Sequence, residues 1–351
     1  MLIRRLIFGG IALAALIFLL FRPPVPGGEE QRLVEQQFPA MGTWFTVSVW
    51  LDEPGQREAA RGAIGAAEQH LHAYARQWDP NGDGALGGLN QRLAAGESIT
   101  VPADMQPLFR AAEQWRRDSD GAFDARIGTL ITLWGFDDAE DFRTRPPAEA
   151  ERAARVEAIG AAPVYDGIAY GPAPAVRWNF GAIAKGEAVE QASAILVEAG
   201  FDHHIVNAGG DLVVRGERGD RKWRVAVRHP RPGMAQSLLA ALDVGDEAVF
   251  TSGDYERHFE HDGTRYHHII SPATGAPARG LQSVTVVAPE GVAADAASTA
   301  LFVAGADWRA MADRLGIAVA MVVYDDGSLA MTPAAADRFR LIADVARRDA
   351  E

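Results

Sequence analysis

Apolar and polar positions alternate through the β-branched and aromatic run from Phe45 to Leu51, which predicts a strand. Behind it, Ile64, Leu71 and Tyr74 recur at helical spacing and predict a helix over Gln56 to Trp78. The folded part therefore opens strand then helix, a mixed α/β start. Asp79 to Gly88 breaks both periods with glycine and reads as a loop, and Leu108, Phe109, Ala112 and Trp115 then mark one side of an amphipathic helix over Met105 to Asp118. Residues 137 to 175 are rich in Ala, Pro and charge and predict a short helix with solvent-facing connections. Ala188, Val189, Ala192, Ile195 and Leu196 predict a helix over Ala184 to Ala199, stopped by Gly200. Strands follow on either side of a Gly-Gly turn within His204 to Val214, then at Trp223 to Arg228 and Leu281 to Ala288. A helix over Ala293 to Ala304 and a strand from Ile317 to Tyr324, turned by Asp325-Asp326-Gly327, complete the pattern, which shows no internal repeat.

One segment stands apart. Arg4 and Arg5 precede an almost unbroken apolar run from Leu6 to Phe21, ended by Arg22-Pro23-Pro24. Basic flank and apolar run together predict an export segment over 1–22, a signal anchor or a signal peptide, with the basic side in the cytoplasm. No clear small-residue cleavage site precedes Arg22, which favours the anchor. The prolines and glycines of Pro23 to Gly28 resist helix and strand, so 23–37 reads as a linker and 38–345 as the folded domain.

Composition narrows the function. With 351 residues the chain can hold one large or two fused domains, and 48% hydrophobic against 23% charged residues can bury a core. Lys plus Arg number 34 against 47 Asp plus Glu, a net charge of −13 that repels nucleic acid. The absence of cysteine excludes disulfides, thiolate metal sites, iron–sulfur clusters and a thiol nucleophile.

Several short segments carry candidate chemistry. Asp295 and Thr299 stand one helical turn apart and put two hard oxygens on one face, a donor type suited to Mg²⁺ and open also to Mn²⁺ or Ca²⁺. Phe180-Gly-Ala-Ile-Ala-Lys185-Gly-Glu187 runs into the start of a helix, where backbone amides and a lysine are presented together for an anion. Asn207-Ala-Gly-Gly-Asp211 is by itself a hairpin turn, although its glycines also permit close backbone approach to a ligand. Thr251-Ser-Gly-Asp-Tyr255 and Tyr266-His-His268-Ile-Ile-Ser-Pro272-Ala-Thr-Gly275 gather polar side chains beside turns, with His268 a candidate base or phosphate contact. Asp79-Pro-Asn81-Gly-Asp83-Gly84 imitates a calcium loop, but its closing position holds Asn90 in place of Glu.

Taken in order, these segments resemble the ApbE family of FAD:protein FMN transferases. The likeness runs from Ala40-Met-Gly-Thr43 to about Gly305, and includes Trp78 with Asn90, Asp120-Gly-Ala-Phe-Asp124, Leu133-Trp-Gly-Phe136 and Asp295-Ala-Ala-Ser-Thr-Ala-Leu-Phe302. It implies a fold of T-fold-like units with a flavin site between them. It also implies Mg²⁺-dependent transfer of FMN from FAD to a Thr or Ser of an acceptor protein, with release of AMP. By matched position, Asp295, Thr299 and the main-chain carbonyl of Ala182 would hold the metal. Met41 and Trp78 would pack on the flavin, and Asp124, Asn179, Lys185, His268 and Ile269 would contact FAD, with Asp295 and His268 at the chemistry.

Three positions depart from the family pattern. Asn179 replaces Asp, Glu187 replaces Tyr and Ser271 replaces Asp. Asn179 keeps an acceptor oxygen and gains an amide donor while losing a charge. A non-catalytic FAD-binding accessory protein and a Mg²⁺-dependent FAD pyrophosphatase are the competing readings. The expected setting is the periplasmic side of the inner membrane, or the periplasm itself if the segment is cleaved.

Overall fold

The computed structural model describes residues 31–137, 143–231 and 238–348, so the export segment over 1–22 lies outside the described residues. Among the described residues no helix is long and apolar enough to cross a membrane. Strands β1 (Leu33–Ala40) and β2 (Thr43–Trp50) pair antiparallel along their whole length. The turn between them, Met41-Gly42, holds φ values of 50° and 72°, the left-handed pair that a two-residue hairpin turn needs. The first strand begins inside the span read as linker, because Val34, Phe38 and Ala40 turn inward while Gln37 and Pro39 face out.

Helix α1 (Arg57–Gln77) crosses back over this hairpin. Then come α2 (Ala85–Ala94), β3 (Ile99–Thr100), α3 (Gln106–Asp118), α4 (Gly128–Trp134), α5 (Glu149–Gly160) and β4 (Ala169–Tyr170). The first of these starts within the stretch expected to be loop. Its two glycines obscure the helical stripe, yet Leu86, Leu89 and Leu93 are all buried on one face. Helix α6 (Ala184–Glu198) leads into a second hairpin, β5 (His204–Ala208) and β6 (Asp211–Arg215), turned by Gly209-Gly210.

The remaining strands are β7 (Trp223–Arg228), β8 (Leu238–Val244), β9 (Glu247–Gly253), β10 (His258–His261), β11 (Thr264–His267), β12 (Leu281–Ala288), β13 (Val319–Tyr324), β14 (Leu329–Met331) and β15 (Arg340–Leu341). Helices α7 (Gly291–Ala304), α8 (Trp308–Leu315) and α9 (Pro333–Arg338) lie between them. Eight strands form one antiparallel sheet in the order β1-β2-β5-β6-β9-β12-β13-β14. Helices α1, α6 and α7 cover one face, burying Val47, Ile64, Leu71, Val189, Val206 and Val286. A three-stranded sheet, β15-β8-β7, covers the other, where Trp50, Val214, Trp223, Val225 and Met321 meet. Because both faces are covered, every residue of β12 is buried, including the polar Gln282, Ser283 and Thr285. The outer sheet instead shows clean alternation: Trp223, Val225 and Val227 point in while Arg224, Ala226 and Arg228 point out.

A smaller core holds the segment that carries His268. Trp134, Phe136, Phe259 and Tyr266 stack there, and the Trp134 indole donates to the Gly275 carbonyl at 2.7 Å. This pins the β10–β11 hairpin and the following turn to α4.

Buried His204 ties α6 to the sheet. Its Nδ1 faces the Phe201 carbonyl at 2.7 Å, which can only accept, so Nε2 must accept from the Ser193 hydroxyl at 2.7 Å. Burial pushes this imidazole down to about 4. The unfolded histidine takes a proton near pH 6.5, so between pH 6.5 and 4 the unfolded chain binds more protons and folding weakens as pH falls. We expect the protein to lose on the order of 2 kcal/mol more than its His204→Gln variant between pH 7 and 5, measured by urea denaturation. Parallel pH curves for the two proteins would contradict this.

Candidate active site

The hairpin turns Met41-Gly42 and Gly209-Gly210 lie at the same end of the large sheet, since Phe45 pairs with Ala208 and the Gly209 N–H donates to the Trp44 carbonyl at 2.9 Å. The end of β9 and the N-termini of α6 and α7 reach the same place, and the two helices touch there through glycine. A Cβ on Gly186 would stand 2.3 Å from the Gly291 carbonyl oxygen, and one on Gly291 would stand 2.5 Å from that of Gly186. Only bare backbone permits this approach.

Its chemical consequence falls on Asp295. The carboxylate, one turn into α7, accepts the Gly186 N–H at 2.9 Å. That N–H is one of the unpaired donors of the first helical turn, and the Ala182 carbonyl, just before the helix, receives no backbone donor among the described residues. Thr299 follows on the next turn, its hydroxyl 3.2 Å from Ser252 Oγ, while Ser298 bonds Ser252 at 2.8 Å and the Asp295 carbonyl at 2.9 Å. A carboxylate and a hydroxyl one turn apart on α7, with a free carbonyl just before α6, are the donor types of a hard divalent cation. Asp295 is only 5% exposed, and burial pushes its carboxyl up to about 7, with Lys185 opposing the shift and Asp211 adding to it. A divalent cation would hold it ionised. Among the described residues no group of three or more His, Asp or Glu side chains suits a metal, so this set rests on one carboxylate.

Next to it, the Lys185 ammonium pairs with Asp211, whose other oxygen accepts the Thr251 N–H at 2.9 Å. Burial alone would lower Lys185, but Asp211, Asp295 and Glu256 hold it raised and charged. The Asp211 position is set by the Gly-Gly turn, which Asn207 braces by accepting the Gly210 N–H at 2.7 Å. His268 lies within electrostatic reach of Lys185. Burial, then His267, Arg257 and Lys185, push its imidazole down to about 3, and its buried Nδ1 has no hydrogen-bond partner. A neutral histidine with an unpaired ring nitrogen is ready to bond a ligand.

The structure thus brings Asp295 against the segment that carries Ala182 and Lys185, with Thr299 one turn further along α7 and His268 within electrostatic reach of Lys185. Met41 sits at the rim, packed on the core through its strained turn, with Arg257 against Gly42. Asn179 accepts the Gly181 N–H at 2.9 Å, which leaves its amide donor for a ligand, and Ile269 is buried with its N–H on His267 at 3.3 Å. Two residues are otherwise engaged. Trp78 is 6% exposed within a ring cluster, 4.8 Å from Phe180, and Asp124 is bound by Arg126 at 2.7 Å with both side chains 6% exposed. Asn90 also has a framework role, accepting the Trp178 N–H at 2.8 Å and donating to its carbonyl at 2.9 Å. Asp211 stood in the sequence only as the end of the Gly-Gly turn segment, with no site role, and Arg257 was not singled out. An acid directly after a Gly-Gly turn was the available signal for the first, while nothing in the sequence marks the second.

The ApbE family model matches residues 41–321. A FAD:protein FMN transferase of Rhodobacter capsulatus is 35% identical over 339 residues, covering 92% of this chain and 61% of that protein, so the chain spans less than two thirds of that relative. One of Haemophilus influenzae is 28% identical over 340 residues and covers 92% and 94%. The solved ApbE protein of Thermotoga maritima superposes with a TM-score of 0.76 at 30% identity, covering 86% of this chain and 97% of that one.

Proposed function

As this chain belongs to the ApbE family, we propose that it is a transferase that moves FMN from FAD onto a Ser or Thr hydroxyl of an acceptor protein. The observation that carries the reading is the close approach of Gly186 and Gly291, across which Asp295 accepts the Gly186 N–H while Lys185, next in sequence, pairs with Asp211. The oxygens of Ala182, Asp295 and Thr299 would hold Mg²⁺, which when bound supplies positive charge to pyrophosphate oxygens. The chain's own groups do the rest. Lys185 binds phosphate and orients the phosphorus. The unpaired His268 nitrogen takes the acceptor hydroxyl proton, and neighbouring phosphate charge raises its basicity for that task. One P–O bond forms to the hydroxyl oxygen while the P–O bond to AMP breaks, its electron pair leaving with AMP.

The mixed α/β fold agrees with the T-fold-like arrangement implied by resemblance, the flavin lying at the sheet end between its units. Arg4-Arg5 before Leu6 to Phe21 supports a setting on the periplasmic side of the inner membrane, or in the periplasm if the segment is cleaved. Incubation of the full chain in detergent with FAD, Mg²⁺ and an acceptor domain should add an FMN mass to the acceptor and release AMP. Free FMN without acceptor would instead identify a pyrophosphatase. Tight FAD binding with neither product would identify a binding protein, and Asn179→Asp would then be the first change to examine.

A further inference from the structure

On the other side of the segment that carries His268 lies a cavity of about 210 Å³ that the transfer chemistry does not use. Alternation along β11 sends Tyr266 into the aromatic cluster and turns Arg265 and His267 the opposite way, into this cavity. Arg231, Arg279, Asp254 and Asp325 complete its polar lining. Only one of the three guanidinium groups is fully matched. Arg231 grips Asp254 with two bonds of 2.6 and 2.9 Å. Arg265 stands 3.7 Å from Asp254 and 3.5 Å from Glu260, too far for good hydrogen bonds, and its buried Nη1 has no acceptor. Arg279 donates to the Arg265 carbonyl at 2.8 Å and lies over the Tyr266 ring, which leaves its other donors unassigned. Asp325 already accepts the Gly280 N–H at 3.0 Å, and His267 donates to the Ala278 carbonyl at 2.9 Å.

The cavity therefore holds more guanidinium donors than acceptors, in a fork geometry that matches paired oxygens. We propose that it is a binding site for a small oxyanion, a carboxylate or a phosphate group, held by Arg265 and Arg279. The site is separate from the transfer reaction and stands whether or not that assignment holds.

The test is thermal unfolding of the full chain, saturated with FAD to occupy the sheet-end cleft, in succinate or inorganic phosphate against sodium chloride of equal ionic strength. A ligand at a hundredfold its Kd should raise the midpoint by about 3 °C. The rise should vanish in Arg265→Met, or in Arg279→Met, whose exposed side chain can be removed without disturbing the core. A rise with succinate alone identifies a carboxylate, with phosphate alone a phosphate, and with both an unselective oxyanion site. No rise in the wild type, or an equal rise in wild type and both variants, overturns the proposal.

Discussion

Replacing Asp295 by alanine should lower FMN transfer by about a thousandfold while the protein stays folded. A metal-held charge at the reacting phosphate is worth several kcal/mol, and each 1.4 kcal/mol or so is a factor of ten in rate. The change removes the only carboxylate among the three candidate oxygens and leaves the Ala182 carbonyl and the Thr299 hydroxyl, which are neutral. Stability should change little, because burial disfavours this carboxylate in the first place. Asp295→Asn sharpens the comparison, since its amide oxygen can still accept the Gly186 N–H while the charge is gone. Both variants should melt near the wild-type temperature and release AMP at close to background rate. If either keeps more than a tenth of the wild-type rate at saturating Mg²⁺, Asp295 is not the metal ligand.

The second large effect is expected at Gly186→Ala. In an ordinary helix this change would add up to about 1 kcal/mol of stability. Here the new methyl would meet the Gly291 carbonyl at 2.3 Å, roughly 1 Å inside normal contact, and the obstacle is backbone that cannot rotate away. The helix starts must part, and Asp295 travels with α7. We expect stability to fall by about 2 kcal/mol and transfer by about a hundredfold, since a displacement near 1 Å at a reacting centre costs that much. Gly291→Ala should act in the same way from the other side. A Gly186→Ala protein with unchanged melting and full activity would show that the two helices do not need their contact.

The elements with long, regular patterns were legible in the sequence. Helix α6 kept its expected start because helical spacing runs through it, and β12 kept its expected ends, with Gly280 directly before its β-branched run. Strand β1 was hidden by its two glutamines and Pro39, and α2 by paired glycines, so that partners elsewhere in the chain had to define both. The β10–β11 hairpin contains histidine, glutamate and arginine, and takes its place from the aromatic cluster beneath it. At the site, the Asp295 and Thr299 spacing was visible, whereas the role given to Ala182 came from resemblance alone. The carboxylate that meets the Gly186 N–H lies far along the chain, a contact that no local pattern records. Trp78 and Asp124 were visible as motif residues, but ring packing and Arg126 decide what they touch.

Strand β12 lies between β9 and β13 with helices over one face and the small sheet over the other, and all its residues are buried. No partial opening of either layer lifts both covers at once. Its amide protons should therefore exchange with deuterated solvent only when the whole domain unfolds, and their exchange rate would report the global unfolding free energy directly. The Met41-Gly42 hairpin at the sheet edge, by contrast, should exchange through local fraying and leave that slow signal untouched.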